Sequence, residues 1–126
     1  MLKIQDGILT YQLSRIENIG ALSTSPKASV LNLKSVGYHE NPWTSEVLRG
    51  IRAPGTGFPY LIMLGTMRHR KGKDFCVIYR RKPVLVLEFA GESFNRWVIP
   101  ASKANFNVLK ALEVPNLNLP VSVPKK

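Results

Sequence analysis

The chain has 126 residues, 44% of them apolar, which suits one domain with a buried core and excludes a disordered chain. It sets 18 Lys+Arg against 8 Asp+Glu for a net charge of +10, and its single cysteine, Cys76, excludes an internal disulfide framework and any multi-cysteine zinc module. No run approaches the ~18 apolar residues of a membrane-spanning helix, and Lys3 and Asp6 interrupt the start too early for a signal peptide, so a cytoplasmic, at most membrane-peripheral, protein is expected.

Asp6-Gly7 is a two-residue loop of the kind that needs positive φ, and it predicts a β-hairpin. Its register sets Ile4 opposite Leu9 and Leu2 opposite Tyr11 on one face, with Lys3 and Thr10 on the other. Weaker strand signals cover 16–23 and 29–37, where Leu31 and Leu33 alternate with Asn32 and Lys34. Thr24-Ser25-Pro26-Lys27 separates them as a turn. From 38 to 57 the chain reads as a loop, punctuated by Pro42, Gly50, Pro54, Gly55 and Gly57 and packed down by Trp43. Four strands then follow in succession, 59–67, 74–79, 84–89 and 93–99. Their separators are short enough for hairpins, which predicts an antiparallel meander. The run Val84-Leu85-Val86-Leu87 is apolar on both faces and implies that something covers the sheet.

That cover is predicted to be a helix over 102–113, with Ser102 as its N-cap and Pro115 as its stop. Asn105, Val108, Leu109 and Leu112 fall on one stripe with Phe106 at its edge, and Lys103, Asn107 and Lys110 lie opposite. In the tail, 114–126, Leu117, Leu119, Val121 and Val123 alternate with polar and proline residues. Pro120 and Pro124 share one edge of an extended strand, so the other edge keeps its N–H donors. The tail therefore reads either as an edge strand or as a disordered, Pro-rich end. The expected fold class is mainly β with one C-terminal α-helix: a domain over 1–113, built as a small barrel or sandwich plugged by the helix, and an extended tail over 114–126.

The stretch Gly50-Ile51-Arg52-Ala53-Pro54-Gly55-Thr56, with Gly65 and the hairpin reaching Phe75 and Tyr79, resembles an element of the bacterial pleckstrin-homology-like domains. There an Arg-x-Pro-Gly step precedes a strand that ends near a glycine. Pro100-Ala101-Ser102-Lys103, followed by the helical run from Phe106 to Leu112, is similar to their ending. The resemblance spans roughly residues 48–112. It implies a pleckstrin-homology-like (PH-like) split, partly open barrel of about seven strands, capped by a helix. It also implies a bacterial binding or assembly module working in or near membranes. Eukaryotic members that hold inositol phosphates use bases around the first hairpin loop; here that loop is Asp6-Gly7 and carries none.

Between Arg49 and Lys82 lie nine Lys/Arg and one acid, Asp74. The strand 74–79, at about 3.3 Å per residue, separates its flanking turns by about 20 Å, more than two Debye lengths of about 8 Å. Arg68, Arg70, Lys71 and Lys73 then form one rim. Arg80, Arg81 and Lys82 form the other, which Arg49 and Arg52 are expected to join. An anionic membrane offers about 1 kcal/mol per base, so one rim supplies at most ~5 kcal/mol, an auxiliary contact. The same charges would also serve as a plain solubilising surface. Arg52-Ala53-Pro54-Gly55-Thr56-Gly57 has the glycines of an anion-binding loop but lacks the Gly-Lys-Ser/Thr of a P-loop, and reads as a tight bend.

These features point to a non-enzymatic binding or assembly module for protein partners, including a second copy of the chain. Leu117, Leu119, Val121 and Val123 are the candidate self-association residues, and the two rims are candidates for anionic membrane contact. The alternative is nucleic-acid binding by the same rims with Tyr79, Phe94 and Trp97, although no common DNA- or RNA-reading motif is present. A further alternative, an enzyme, finds no catalytic set. His39-Glu40 lacks the second histidine of a metalloprotease helix, Cys76 lies mid-strand, and no carboxylate pair has a recognisable spacing. No catalytic residue, metal ligand, cofactor or small-molecule substrate is assigned.

Overall fold

Asp6 and Gly7 adopt φ of 53° and 75°, and the strands they join pair in the predicted register, Leu2 with Tyr11 and Ile4 with Leu9. The computed structural model describes residues 2–14, 25–44, 47–48, 51–58, 62–111 and 117–118, with the backbone alone at 51–58, 111 and 117–118. The strand expected at 16–23 lies outside the described residues. Strands β1 (Leu2–Gln5), β2 (Ile8–Tyr11) and β3 (Lys27–Ser29) form a three-stranded sheet in that order.

A 3-10 turn over Val30–Asn32 breaks the strand expected at 29–37. Ser29 Oγ accepts from the Leu31 N–H, and the Val30 N–H donates to the Gly7 carbonyl. The alternation of Leu31 with Leu33 is lost as a result: Leu33 is buried, whereas Leu31 is 93% exposed. Strand β4 (Leu33–His39) follows and runs on into the segment read as a loop. A register shift between Leu33 and Ser35 lets Leu33 and Val36 both reach the core.

The larger sheet contains β4, β5 (Ile51–Phe58), β6 (Ile62–His69), β7 (Gly72–Tyr79), β8 (Val84–Phe89), β9 (Arg96–Pro100) and β10 (Leu117–Asn118). Its order is β10-β4-β8-β9-β7-β6-β5. Strand β5 replaces part of the expected loop. Its Pro54, with no N–H to donate, falls within a register shift between Arg52 and Gly55, where the ladder to β6 is already interrupted.

The predicted meander is corrected. β9 lies between β7 and β8, parallel to β7 and antiparallel to β8. The 80–83 link thus steps over one strand, a gap of about 10 Å. Burial explains the placement: Arg96, Trp97, Val98 and Ile99 are covered on both faces, which suits the middle of a sheet and not its rim.

On one face of this sheet Phe75, Val77, Leu85, Leu87, Trp97 and Ile99 meet Leu2, Leu9, Tyr11 and Ala28 of the smaller sheet. Tyr11 and Phe75 have ring centroids 6.0 Å apart, Phe89 and Trp97 4.8 Å. On the opposite face Met63, Met67, Cys76, Ile78, Val84, Val86 and Val98 form a second cluster beneath Trp43, Val47 and Leu48. Both faces of 84–87 are therefore covered.

Helix α1 (Lys103–Ala111) begins at the predicted cap, where Ser102 Oγ accepts from the Asn105 N–H at 3.2 Å. Asn105, Phe106 and Leu109 are buried. The helix lies against β1, and Asn105 joins the two: its Oδ1 accepts from the Leu2 N–H at 2.9 Å and its Nδ2 donates to the Pro100 carbonyl at 2.9 Å. Neither sheet closes on itself. The fold is mainly β, in two open sheets with one C-terminal helix, and the helix borders the first hairpin where a plug at a barrel mouth was expected. The tail residues Leu117 and Asn118 pair in parallel with Val36 and Gly37, while Leu119, Val121 and Val123 lie outside the described residues. No helix of the described residues is long and apolar enough to cross a membrane.

Candidate functional site

The β6–β7 hairpin turns at Arg70-Lys71, between His69 and Gly72, which pair with each other. Its backbone is held from two sides. The Lys71 N–H donates to His69 Nδ1 at 3.2 Å, and the Lys71 carbonyl accepts from Asn95 Nδ2 at 3.4 Å. Asn95 also accepts from the Lys73 N–H through Oδ1 at 3.3 Å and donates its own N–H to the Lys73 carbonyl at 2.8 Å. Gly72 is required here twice over: its φ is 144°, and a Cβ would collide with Asn95 Oδ1. Arg68, Arg70 and Lys71 are exposed on this fixed turn, and Lys73 Nζ lies 4.8 Å from the Phe94 ring centroid.

Beneath the turn sits a buried ionic cluster that sequence reading missed. Asp74 has no exposed surface; its Oδ2 accepts from Arg96 Nε at 3.3 Å, and its Oδ1 lies 3.1 Å from His69 Nε2. Because His69 Nδ1 is the acceptor for Lys71, Nε2 is the nitrogen that carries the proton toward Asp74. Arg96 Nη2 donates to the Val47 carbonyl at 2.8 Å, so the cluster also ties down the segment that covers the second apolar face. Only the register of the parallel β7–β9 pair brings Asp74 opposite Arg96, and no local sequence signal marks that pairing.

The second basic turn, Arg80-Arg81 with Lys82, is held by different means. Arg80 has φ 49°, a left-handed conformation that costs a non-glycine residue about 1–2 kcal/mol. The Trp43 indole N–H donates to the Arg80 carbonyl at 2.6 Å, and the Lys82 N–H donates to the Tyr79 carbonyl. Trp43 does pack its segment down, as its residue type suggested.

Strand β7 keeps the two turns at opposite ends, so Arg68, Arg70, Lys71 and Lys73 form one group and Arg80, Arg81 and Lys82 another. Arg52 is corrected. β5 runs antiparallel to β6 with Arg52 opposite Met67, which places it at the Arg68–Lys73 end of the sheet and away from Arg80. The error came from reading β5 as a bend, which reverses the direction in which the chain arrives. Arg49 lies outside the described residues.

Trp97 is fully buried and Phe75 packs edge-on against Phe94 at 5.6 Å, so these rings belong to the core. Cys76 is a buried thiol that forms no disulfide. Among the described residues no group of three or more His, Cys, Asp or Glu side chains is placed to hold a metal ion. Comparison with known proteins finds no family model, no curated protein and no solved structure that matches this chain.

Proposed function

We propose that the chain is a non-enzymatic binding or assembly module of the pleckstrin-homology-like kind. It associates with protein, including a second copy of itself, and makes weak secondary contact with anionic membrane surfaces on the cytoplasmic side. The observation that carries this reading is the fixing of both basic turns: the Lys71 amide and carbonyl are each held by a side chain, and the Arg80 carbonyl is held by Trp43. A turn whose backbone is already ordered gives up less conformational freedom on binding than a loose loop. The mainly β fold with its C-terminal helix supports the family reading in outline. The nucleic-acid alternative rests on charge alone, since Trp97 belongs to the core.

Light scattering over a range of concentrations, together with co-sedimentation on vesicles of anionic lipid, tests the proposal. We expect molar mass to rise with concentration in the full chain, and less so after deletion of 117–126. Vesicle binding should appear at low salt, fall as salt rises, and drop when Arg80→Glu is combined with Arg81→Glu or Arg70→Glu with Lys71→Glu. A monomeric mass at every concentration and no vesicle binding at low salt would overturn the reading.

A further inference from the structure

Beside the first hairpin a groove of about 580 Å³ opens over the outer side of β2, with Ile8 and Thr10 on its floor. Asp6 and Glu92 stand on its walls against a single base, Lys27. Glu92 is held in place by one oxygen, Oε2, which accepts from the Ser29 N–H at 3.1 Å and from Asn32 Nδ2 at 2.5 Å. Neither Asp6 nor Glu92 forms an ion pair with a described residue. The chain has only 8 acids to 18 bases, so a groove with two carboxylates and one base reverses the chain's overall balance of charge. Ile8, 41% exposed, adds an apolar contact between them.

We propose that this groove receives the β6–β7 turn of a second copy of the chain, an inference that rests on the self-association reading above. Arg70 and Lys71 supply the complementary charge; they are exposed and likewise make no ion pair with a described residue. Their turn is rigid, as a ligand that must enter a groove should be. Glu92 and Asn95, which hold the groove wall and the turn, are three residues apart in the β8–β9 connection, at most ~11 Å between Cα atoms. A two-fold axis beside that connection sets each turn in the other copy's groove, and the assembly closes as a dimer with two equivalent contacts. The net charge of +10 opposes the approach at low salt. At physiological ionic strength that repulsion is screened beyond about 8 Å, while charges in contact still attract.

Sedimentation velocity of the full chain at physiological ionic strength decides the matter. We expect a monomer–dimer equilibrium whose dissociation constant rises roughly tenfold or more in Asp6→Lys, and equally in Arg70→Glu with Lys71→Glu. The second reversal lowers the net charge, so general repulsion alone would make it dimerise better. An equimolar mixture of the two reversed chains should recover the dimer, because each mixed pair has one native and one reversed contact. Asp6→Asn keeps the left-handed turn and should weaken the dimer by a smaller factor; it carries the test if Asp6→Lys fails to fold. A wild-type dimer indifferent to the reversals, a mixture that does not recover, or species larger than a dimer would overturn this contact and leave self-association standing. A wild-type chain that stays monomeric throughout would remove both.

Discussion

Asp74 carries more of the architecture than its single charge suggests. A carboxylate with no exposed surface loses several kcal/mol of hydration, and its contacts with Arg96 and His69 help to offset that loss. The pair also fixes register. A one-residue slip of β9 would swing Arg96 to the face occupied by Trp97 and Phe75 and bury it among apolar groups. Asp74→Ala should therefore lower the unfolding free energy by about 3–5 kcal/mol in urea denaturation, since it leaves a buried guanidinium without its counter-charge. Adding Arg96→Met should return part of that loss, though not all, because the Val47 carbonyl then lacks its donor. If the double variant is as unstable as the sum of the single ones, the two side chains are not coupled and do not set the register together.

Among the elements, α1 does the work of a missing neighbour strand. A two-residue hairpin loop turns the Gln5 and Lys3 amides toward β2 and leaves that of Leu2 pointing outward from β1. Asn105 accepts that N–H and reaches on to Pro100, so the edge of one sheet is fastened to the end of the other. Asn105→Ala should cost about 1–3 kcal/mol for each buried group left unpaired and release the Leu2 amide to hydrogen exchange; an unchanged amide would refute the role. The hairpin, β8 and the Ser102 cap were legible in the sequence because each depends on residues within a few positions of one another. β5 was not, since proline and glycine at an edge look like a bend until the strand beside them is known. The two basic turns could be read as charge. What holds them, Asn95 against Lys71 and Trp43 against Arg80, could not, because those partners are 24 and 37 residues apart and only the folded sheet brings them together.

For the whole molecule, the two sheets and the segment around Trp43 make three layers, with the larger sheet buried on both sides. Its basic turns lie at opposite ends of β7, too far apart to act on one small anion together. The position of β9 reaches further, into how the protein is made. During synthesis β7 and β8 leave the ribosome before β9, joined by a link short enough for them to zip together directly. The finished sheet forbids that pairing, so the last of the three must invade between its predecessors or arrive before they meet. A chain halted after residue 95 should thus hold β7 and β8 in a direct hairpin, seen as hydrogen-exchange protection at Val77 and Leu85; unprotected amides at both would show that the early partners wait for the wedge.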